Sequence, residues 1–233
     1  MSTGSWGTQE PQGPDWYQAS DGLWYPPGGG GAVVPQAGGL ATTGGPVEVG
    51  LDAPPKIDRW RPLVAWLLVI PHYFVMIVVA LVAYVAQIVA FFSILFTRQV
   101  PPWAHEWIVR LYRYQWQIMT YSLFMHEDYP PWMGTEGEID PGTERARLTI
   151  RRADELQRFA PLYKWFLAIP HYFVLAILGI GVYFAILIAF FAVLFTGKWP
   201  EGLRDFVVNF FRWATRVNAY VLLRDEYPPF SLD

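Results

Sequence analysis

The chain has 233 residues, a formal net charge of −3, 53% hydrophobic and only 16% charged residues, and a mean hydropathy of +0.22. Soluble domains carry about 25% charged residues, so a disordered chain and an evenly charged soluble domain are both excluded. No cysteine is present, which excludes a disulfide-stapled module, thiolate catalysis and Cys-ligated zinc or iron–sulfur centres; the near-neutral charge leaves no footprint for nucleic acid.

Residues 1–27 form a Trp-rich tag. Within 14–27, Ser20-Asp21-Gly22 reads as a turn between Trp16-Tyr17 and Trp24-Tyr25, a tiny hairpin able to recruit a protein partner, with a disordered tail as the plainer reading. Residues 28–45 are a Gly- and Pro-rich flexible linker. No basic stretch followed by an apolar run precedes residue 50, so the N-terminus is expected to be retained.

From residue 46 onward the sequence is duplicated. Arg59 to Val75, with Pro-Leu, Trp66 and Ile-Pro-His-Tyr-Phe-Val, returns at Arg158 to Val174 with an offset of 99, and the likeness runs to Tyr129-Pro-Pro-Trp132 and Tyr227-Pro-Pro-Phe230. The repeats are 46–132 and 145–233, joined by an acidic loop at 133–144. Two such copies commonly pack about a pseudo-twofold axis.

Each repeat reads in four parts. Val47, Val49 and Leu51, and Ala146, Leu148 and Ile150, alternate with period two, predicting short strands near 47–52 and 147–152; an extended leader is the alternative. Next comes an apolar helix. Pro62 to Phe96 and Trp165 to Thr196 contain no Asp, Glu, Lys or Arg, and a bilayer crossing needs about 20 such residues. Pro71 and Pro170 divide it into an entry piece, 61–70 or 160–169, and a spanning piece, 72–96 or 171–195. Trp60, Trp66 and Trp165 suit the interface, where Arg59, Arg61 and Lys164 can snorkel. The third part is an aromatic-rich amphipathic helix, about 102–125 and 201–223. Glu106, Arg110, Arg113, Gln117 and Thr120 make one narrow stripe, matched by Asp205, Asn209, Arg212 and Arg216; Glu106 with Arg110, and Asp205 with Arg212, can pair within or between helices. The Tyr-Pro-Pro-aromatic terminator suits the headgroup zone. The fold class is therefore an all-α integral membrane protein of two tandem repeats.

Three layouts compete. One crossing per repeat puts much of the arginine outside, against the positive-inside rule. A wedge would turn at Gly179 and Gly181, for which repeat one has no counterpart. A spanning hairpin keeps both termini in the cytoplasm, at the cost of Arg113 and Arg212 near mid-membrane, and is the expected layout.

The duplicated block, with Leu-Phe-Thr after it and the Tyr-Pro-Pro-aromatic end, resembles the bacterial membrane family called domain of unknown function 4389. Repeat one departs from it at Arg98, where repeat two has Gly197. The tag is similar to short Trp-rich segments of actinobacterial membrane proteins, akin to domain of unknown function 2510. These resemblances imply a bacterial cell membrane as the location and carry no activity.

No catalytic constellation, P-loop or metal-ligand spacing is present, so neither an enzyme nor a cofactor is expected. Pro71-His72-Tyr73 and Pro170-His171-Tyr172 form the structural signature. Two symmetric imidazoles could meet on the axis and hold haem or a metal; the plainer role is to satisfy a carbonyl freed by proline. Gln87, alone in its apolar helix, is expected to bond a neighbouring helix. The stripe residues Glu106, Arg110, Arg113, Asp205, Arg212 and Arg216 either pair structurally or bind an anion or lipid phosphate. Glu136, Glu138 and Asp140 read as a solvated loop. The leading function is a non-enzymatic scaffold or a module binding lipid or a partner, self-association included; the alternative is a small transporter or channel.

Overall fold

The computed structural model describes the backbone of 17–18 and 24–25 and, in full, residues 45–232. In the N-terminal unit, β1 (Tyr17–Gln18) pairs antiparallel with β2 (Trp24–Tyr25), in the register Tyr17↔Tyr25 and Gln18↔Trp24. The expected turn at 20–22 and the linker at 28–44 lie outside the described residues.

The second unit is mostly helical. It contains β3 (Val47–Leu51), α1 (Arg61–Leu68), α2 (Ile70–Thr97), α3 (Pro102–Ser122), β4 (Ala146–Ile150), α4 (Ala160–Leu167), α5 (Ile169–Thr196) and α6 (Glu201–Leu222). The proline divides each long helix as anticipated. Pro71 and Pro170 stand in the first turn of α2 and α5, where the missing N–H has no helical partner to lose. α2 and α5 are continuous, so Gly179 and Gly181 make no turn. Each is long and apolar enough to cross a membrane.

The all-α expectation needs correction, because the two predicted strands form a ribbon. β3 and β4 pair antiparallel, with Val49 opposite Leu148. These two positions are equivalents in the duplication, so the pseudo-twofold axis passes between them. Directly opposed residues of an antiparallel pair point to the same face; the axis is therefore normal to the ribbon. Val47, Val49, Leu51, Ala146, Leu148 and Ile150 are all buried on that face, against a core that includes Val109 and Trp116 of α3 and Val207 and Val208 of α6.

The repeats exchange their leading segments. β4 of repeat two packs on α3 of repeat one, and β3 packs on α6. The Ile57 N–H donates to the Gly197 carbonyl (2.8 Å) and the Leu156 N–H to the Arg98 carbonyl (2.8 Å). Each repeat thus clasps the helical turn of the other.

α3, the stripe helix of the expected hairpin, is covered by protein along nearly all of its length. One face packs on α2 and another on β4, and Gln115 is its one exposed residue past the first turn. α2 does the opposite: Val79, Ala83, Ala86, Ala90 and Ile94 face inward, while Phe74, Ile77, Leu81, Tyr84, Ile88, Phe92 and Phe96 are exposed. α5 repeats the pattern with Phe173, Ile177, Ile180, Phe184, Ile188 and Phe195. The described order is ribbon, then α3 and α6, then α2 and α5, and the axis puts both exposed apolar faces on one side.

The turn after each long helix is left-handed, with φ of 63° at Arg98 and 70° at Gly197. A Cβ at Gly197 would stand 2.9 Å from the Ile57 carbonyl oxygen. Gly197→Ala is expected to cost about 2 kcal/mol, combining left-handed strain with a damaged clasp, whereas Arg98→Ala should cost less than about 1 kcal/mol, since its pair with Glu155 is exposed. Thermal unfolding of both variants in detergent checks the contrast.

Candidate functional site

The polar stripe on α3 is the best-formed site in the molecule. Arg113 is wholly buried and forms an ion pair with Asp140, itself 5% exposed by side chain, at 3.2 Å. Its Nε also donates to the Leu148 carbonyl (2.8 Å), and Nη1 donates to the carbonyls of Thr135 (2.9 Å) and Gly137 (3.1 Å). Burial lowers the Arg113 pKa and Asp140 opposes that shift; an arginine stays charged regardless. Asp140 accepts in turn from the N–H groups of Gly142 (2.9 Å) and Leu148 (3.0 Å). The stripe around it follows the same pattern: Glu106 accepts from Gly137 N–H (3.3 Å), Arg110 pairs with Glu136, and Gln117 donates to Thr135 Oγ1 (3.4 Å).

Two readings of the sequence are corrected here. Arg110 pairs with Glu136 and not with Glu106, and the acidic loop is not merely solvated, because it is laid along the stripe. Gly134 allows that approach: its φ is 71°, and a Cβ there would meet Tyr114 Cβ at 3.0 Å. The sequence signal available was complementarity, three cations and amides on a helix stripe and three acids in a Gly-punctuated loop.

Repeat two holds the equivalent arginine differently. Arg212 donates to the Val49 carbonyl from Nη2 (3.2 Å) and to Asn209 Oδ1 from Nη1 (2.7 Å). No carboxylate lies within ion-pair distance of it among the described residues, so the Asp205–Arg212 pair that the sequence allowed does not form; Asp205 lies 3.6 Å from Arg204. Arg216 lines a groove of about 250 Å³ with Pro46, Arg224 and Tyr227. Arg113 and Arg212 therefore perform one task in common, each gripping the central carbonyl of the other repeat's strand.

The signature histidines do not meet on the axis. His72 is enclosed in its own repeat, with Nδ1 2.7 Å from Tyr114 Oη and its ring stacked on Trp132 (4.4 Å between centroids). His171 accepts from Trp213 Nε1 (3.2 Å) and stacks on Phe230 (3.8 Å). No partner is common to the two rings. The Tyr129 hydroxyl of the same repeat donates to the Leu68 carbonyl at the end of α1 (3.1 Å). The Tyr-Pro-Pro-aromatic end thus folds back over the histidine of its own repeat and is not simply a headgroup anchor. Tyr73 is exposed, and Tyr172 Oη donates to Asn218 Oδ1 (3.0 Å). Among the described residues no group of three or more His, Cys, Asp or Glu is placed to hold a metal.

Two cations expected to snorkel are instead fixed. Arg61 donates to Tyr121 Oη (2.8 Å) and to the Glu127 carbonyl (2.7 Å). Lys164, 2% exposed, pairs with Asp225 and donates to the Arg224 carbonyl. Burial lowers the Lys164 pKa, and Asp225 opposes the shift. The cation has moved by one helical turn between repeats, since the position equivalent to Arg61 is Ala160 and that equivalent to Lys164 is Ala65, yet both cover the same tyrosine of the duplication, at 5.3 Å over Tyr121 and 5.1 Å over Tyr220. Two further buried histidines escaped the sequence reading. Burial holds His105 and His126 down to about 4, so both are neutral at neutral pH. His126 lies 3.0 Å from Thr120 Oγ1, the last residue of the stripe.

The family comparison matches two stretches, 59–133 and 160–232, to the model described as domain of unknown function DUF4389. The chain belongs to the DUF4389 family. Both matches begin at or just before α1 and α4 and run through the terminator, so one DUF4389 unit is the two-piece apolar helix, the stripe helix and the aromatic end. The leading strand, which each repeat lends to the other, lies outside the match. No match was found among curated proteins or among solved structures.

Arg113→Leu is expected to destabilise the fold by about 3–5 kcal/mol, because Asp140 and a row of carbonyls lose a buried cation. Arg212→Leu, which strands no carboxylate, should cost less than half of that. Denaturant titrations of the two variants in one detergent measure the difference.

Proposed function

We propose that this DUF4389 protein is a non-enzymatic membrane module that lies in one leaflet of a bacterial cell membrane. In this reading the outer faces of α1, α2, α4 and α5 sit among lipid, and the ribbon stands on the aqueous side. Residues 14–27 serve as a protein-recruiting element. The observation that carries the reading is the exposed apolar face of α2 and α5, on the side of the fold opposite the ribbon. Soluble monomers expose contiguous apolar patches of only a few hundred Å², and this face runs the length of two 28-residue helices.

A spanning hairpin is the less favourable placement for physical reasons. Arg113 is near the middle of α3, and the ribbon docks there. A crossing hairpin would therefore carry the open ribbon edges to membrane depth, where unpaired backbone groups are not tolerated. It would also bring along Arg110 with Glu136, Arg145 with Asp128 and Arg151 with Glu48, at about 2.5–3.5 kcal/mol for each charge on insertion scales. The in-plane layout meets neither cost, and leaves both ends of the chain on one side as the charge distribution suggested. The arginines that a conduit would require are committed to carbonyls and carboxylates, which favours a scaffold over a transporter.

The lack of cysteine makes a labelling test direct. Gln99→Cys sits in the α2–α3 turn and Ile139→Cys in the inter-repeat loop, both exposed. An impermeant maleimide applied to right-side-out and inverted vesicles should label both positions in the same vesicle orientation. Labelling in opposite orientations would establish a crossing and end the in-plane reading.

A further inference from the structure

A cavity of about 480 Å³ opens between the repeats, bounded by α2 and α3 of repeat one and by α4, α5 and α6 of repeat two. Its volume falls within the usual range for small-ligand sites, about 300–1,000 Å³. The rim includes Tyr84, Ile88 and Phe92, which belong to the exposed apolar face; the mouth therefore opens where the protein meets lipid. The lining carries five side-chain amide or hydroxyl groups, Tyr84, Gln87, Tyr112, Tyr172 and Asn218; Tyr84 and Tyr172 have tyrosines at their equivalent positions, Tyr183 and Tyr73, and the other three do not.

The duplication supplies an internal control. The positions equivalent to Gln87, Tyr112 and Asn218 are Ile186, Phe211 and Met119, and all three of those pack against the central apolar core. The same fold thus accepts apolar residues at each position, so folding alone does not require the polar ones. Two changes per crevice could be drift, but here all three fall on one cavity and all three run in one direction.

The polar groups have a common chemistry. Gln87 was expected to bond a neighbouring helix, yet neither it nor Tyr112 has a hydrogen-bond partner among the described residues. Burial and the neighbouring Tyr172 push the Tyr112 phenol up to about 12, so it stays protonated and donates. Asn218 Oδ1 is occupied by Tyr172, which leaves its Nδ2 hydrogens to donate. No Lys, Arg, Asp or Glu lines the cavity; a phosphate or carboxylate would find no counter-charge there, and burying an unpaired charge is costly.

We infer that this inter-repeat cavity binds an uncharged, lipid-soluble molecule through its carbonyl oxygens, held by Tyr112, Gln87 and Asn218 with its apolar part toward the mouth. Diacylglycerol esters and long-chain quinones share this chemistry. The inference rests on the apolar face meeting lipid, but not on whether α2 crosses the bilayer.

The test uses the full chain in detergent micelles, with a diacylglycerol that carries a photoreactive diazirine on one acyl chain. Cross-links should map to peptides containing Tyr84 to Tyr112 and Asn218 to Leu223. Unlabelled diacylglycerol or a long-chain benzoquinone should displace the probe, the stronger competitor naming the source, while hexadecane should not. Gln87→Ile, Tyr112→Phe and Asn218→Met together give this crevice the residues of its twin; that variant should keep its unfolding temperature and lose at least tenfold in labelling, with Tyr112→Phe alone as the milder control should the triple variant fold poorly. Unchanged labelling in the folded triple variant, or in Tyr112→Phe where the triple does not fold, would overturn the inference, as would equal competition by hexadecane or stronger competition by anionic phosphatidylglycerol. Each of those results would leave the vesicle labelling of positions 99 and 139 untouched, so the two readings fail separately.

Discussion

A two-stranded ribbon has no stability of its own in water, and everything else in the fold depends on how this one is held. Its central pair, Val49 and Leu148, sits on the pseudo-twofold axis. The carbonyl of each accepts a guanidinium from a helix of the opposite repeat: Arg113 for Leu148, Arg212 for Val49. Because each repeat contributes the strand that covers the other repeat's stripe helix, neither half can complete its packing alone. The duplication is thus one cooperative unit, clasped again by Ile57 on Gly197 and Leu156 on Arg98.

The two halves are not identical in how they hold the equivalent arginine. After α3 the chain continues into repeat two, so a linker is at hand to lie along the α3 stripe and bring Asp140 to Arg113. In repeat two Arg212 relies instead on Asn209 and a strand carbonyl. The cation over Tyr121 or Tyr220 shows a different kind of divergence: the residue moved by one turn, from Arg61 to Lys164, while its task stayed in place. Task and position are separable when two helix sites lie on the same face.

Much of this architecture was legible in the sequence. The offset of 99 gave the repeat, the proline gave the boundary between α1 and α2, and alternation gave both strands to within about two residues. What could not be read was which surfaces meet. A stripe such as Glu106, Arg110 and Arg113 looks the same whether it faces water, lipid or a loop, and the loop that covers it lies more than twenty residues downstream. The alternative in which the two histidines meet fails for a related reason. Symmetry in sequence puts His72 and His171 in equivalent environments, but an axis brings equivalent residues together only where it passes close to them, as it does between Val49 and Leu148. Helix length does not by itself fix the layout, since a 28-residue apolar helix meets the length requirement for a crossing whether or not the opposite face of the hairpin carries a ribbon and ion pairs.

The most direct test of this account is the immersion depth of α2 in a lipid bilayer. Spin labels at Phe74→Cys, Leu81→Cys, Ile88→Cys and Phe96→Cys sample exposed positions along the helix, which spans about 42 Å at 1.5 Å per residue. Their relative accessibility to oxygen and to a polar nickel chelate reports depth. A helix lying in one leaflet predicts nearly the same shallow depth at all four sites, whereas a profile that is deepest at Leu81 and Ile88 and returns to the aqueous value at Phe74 and Phe96 would show a crossing helix and contradict the account.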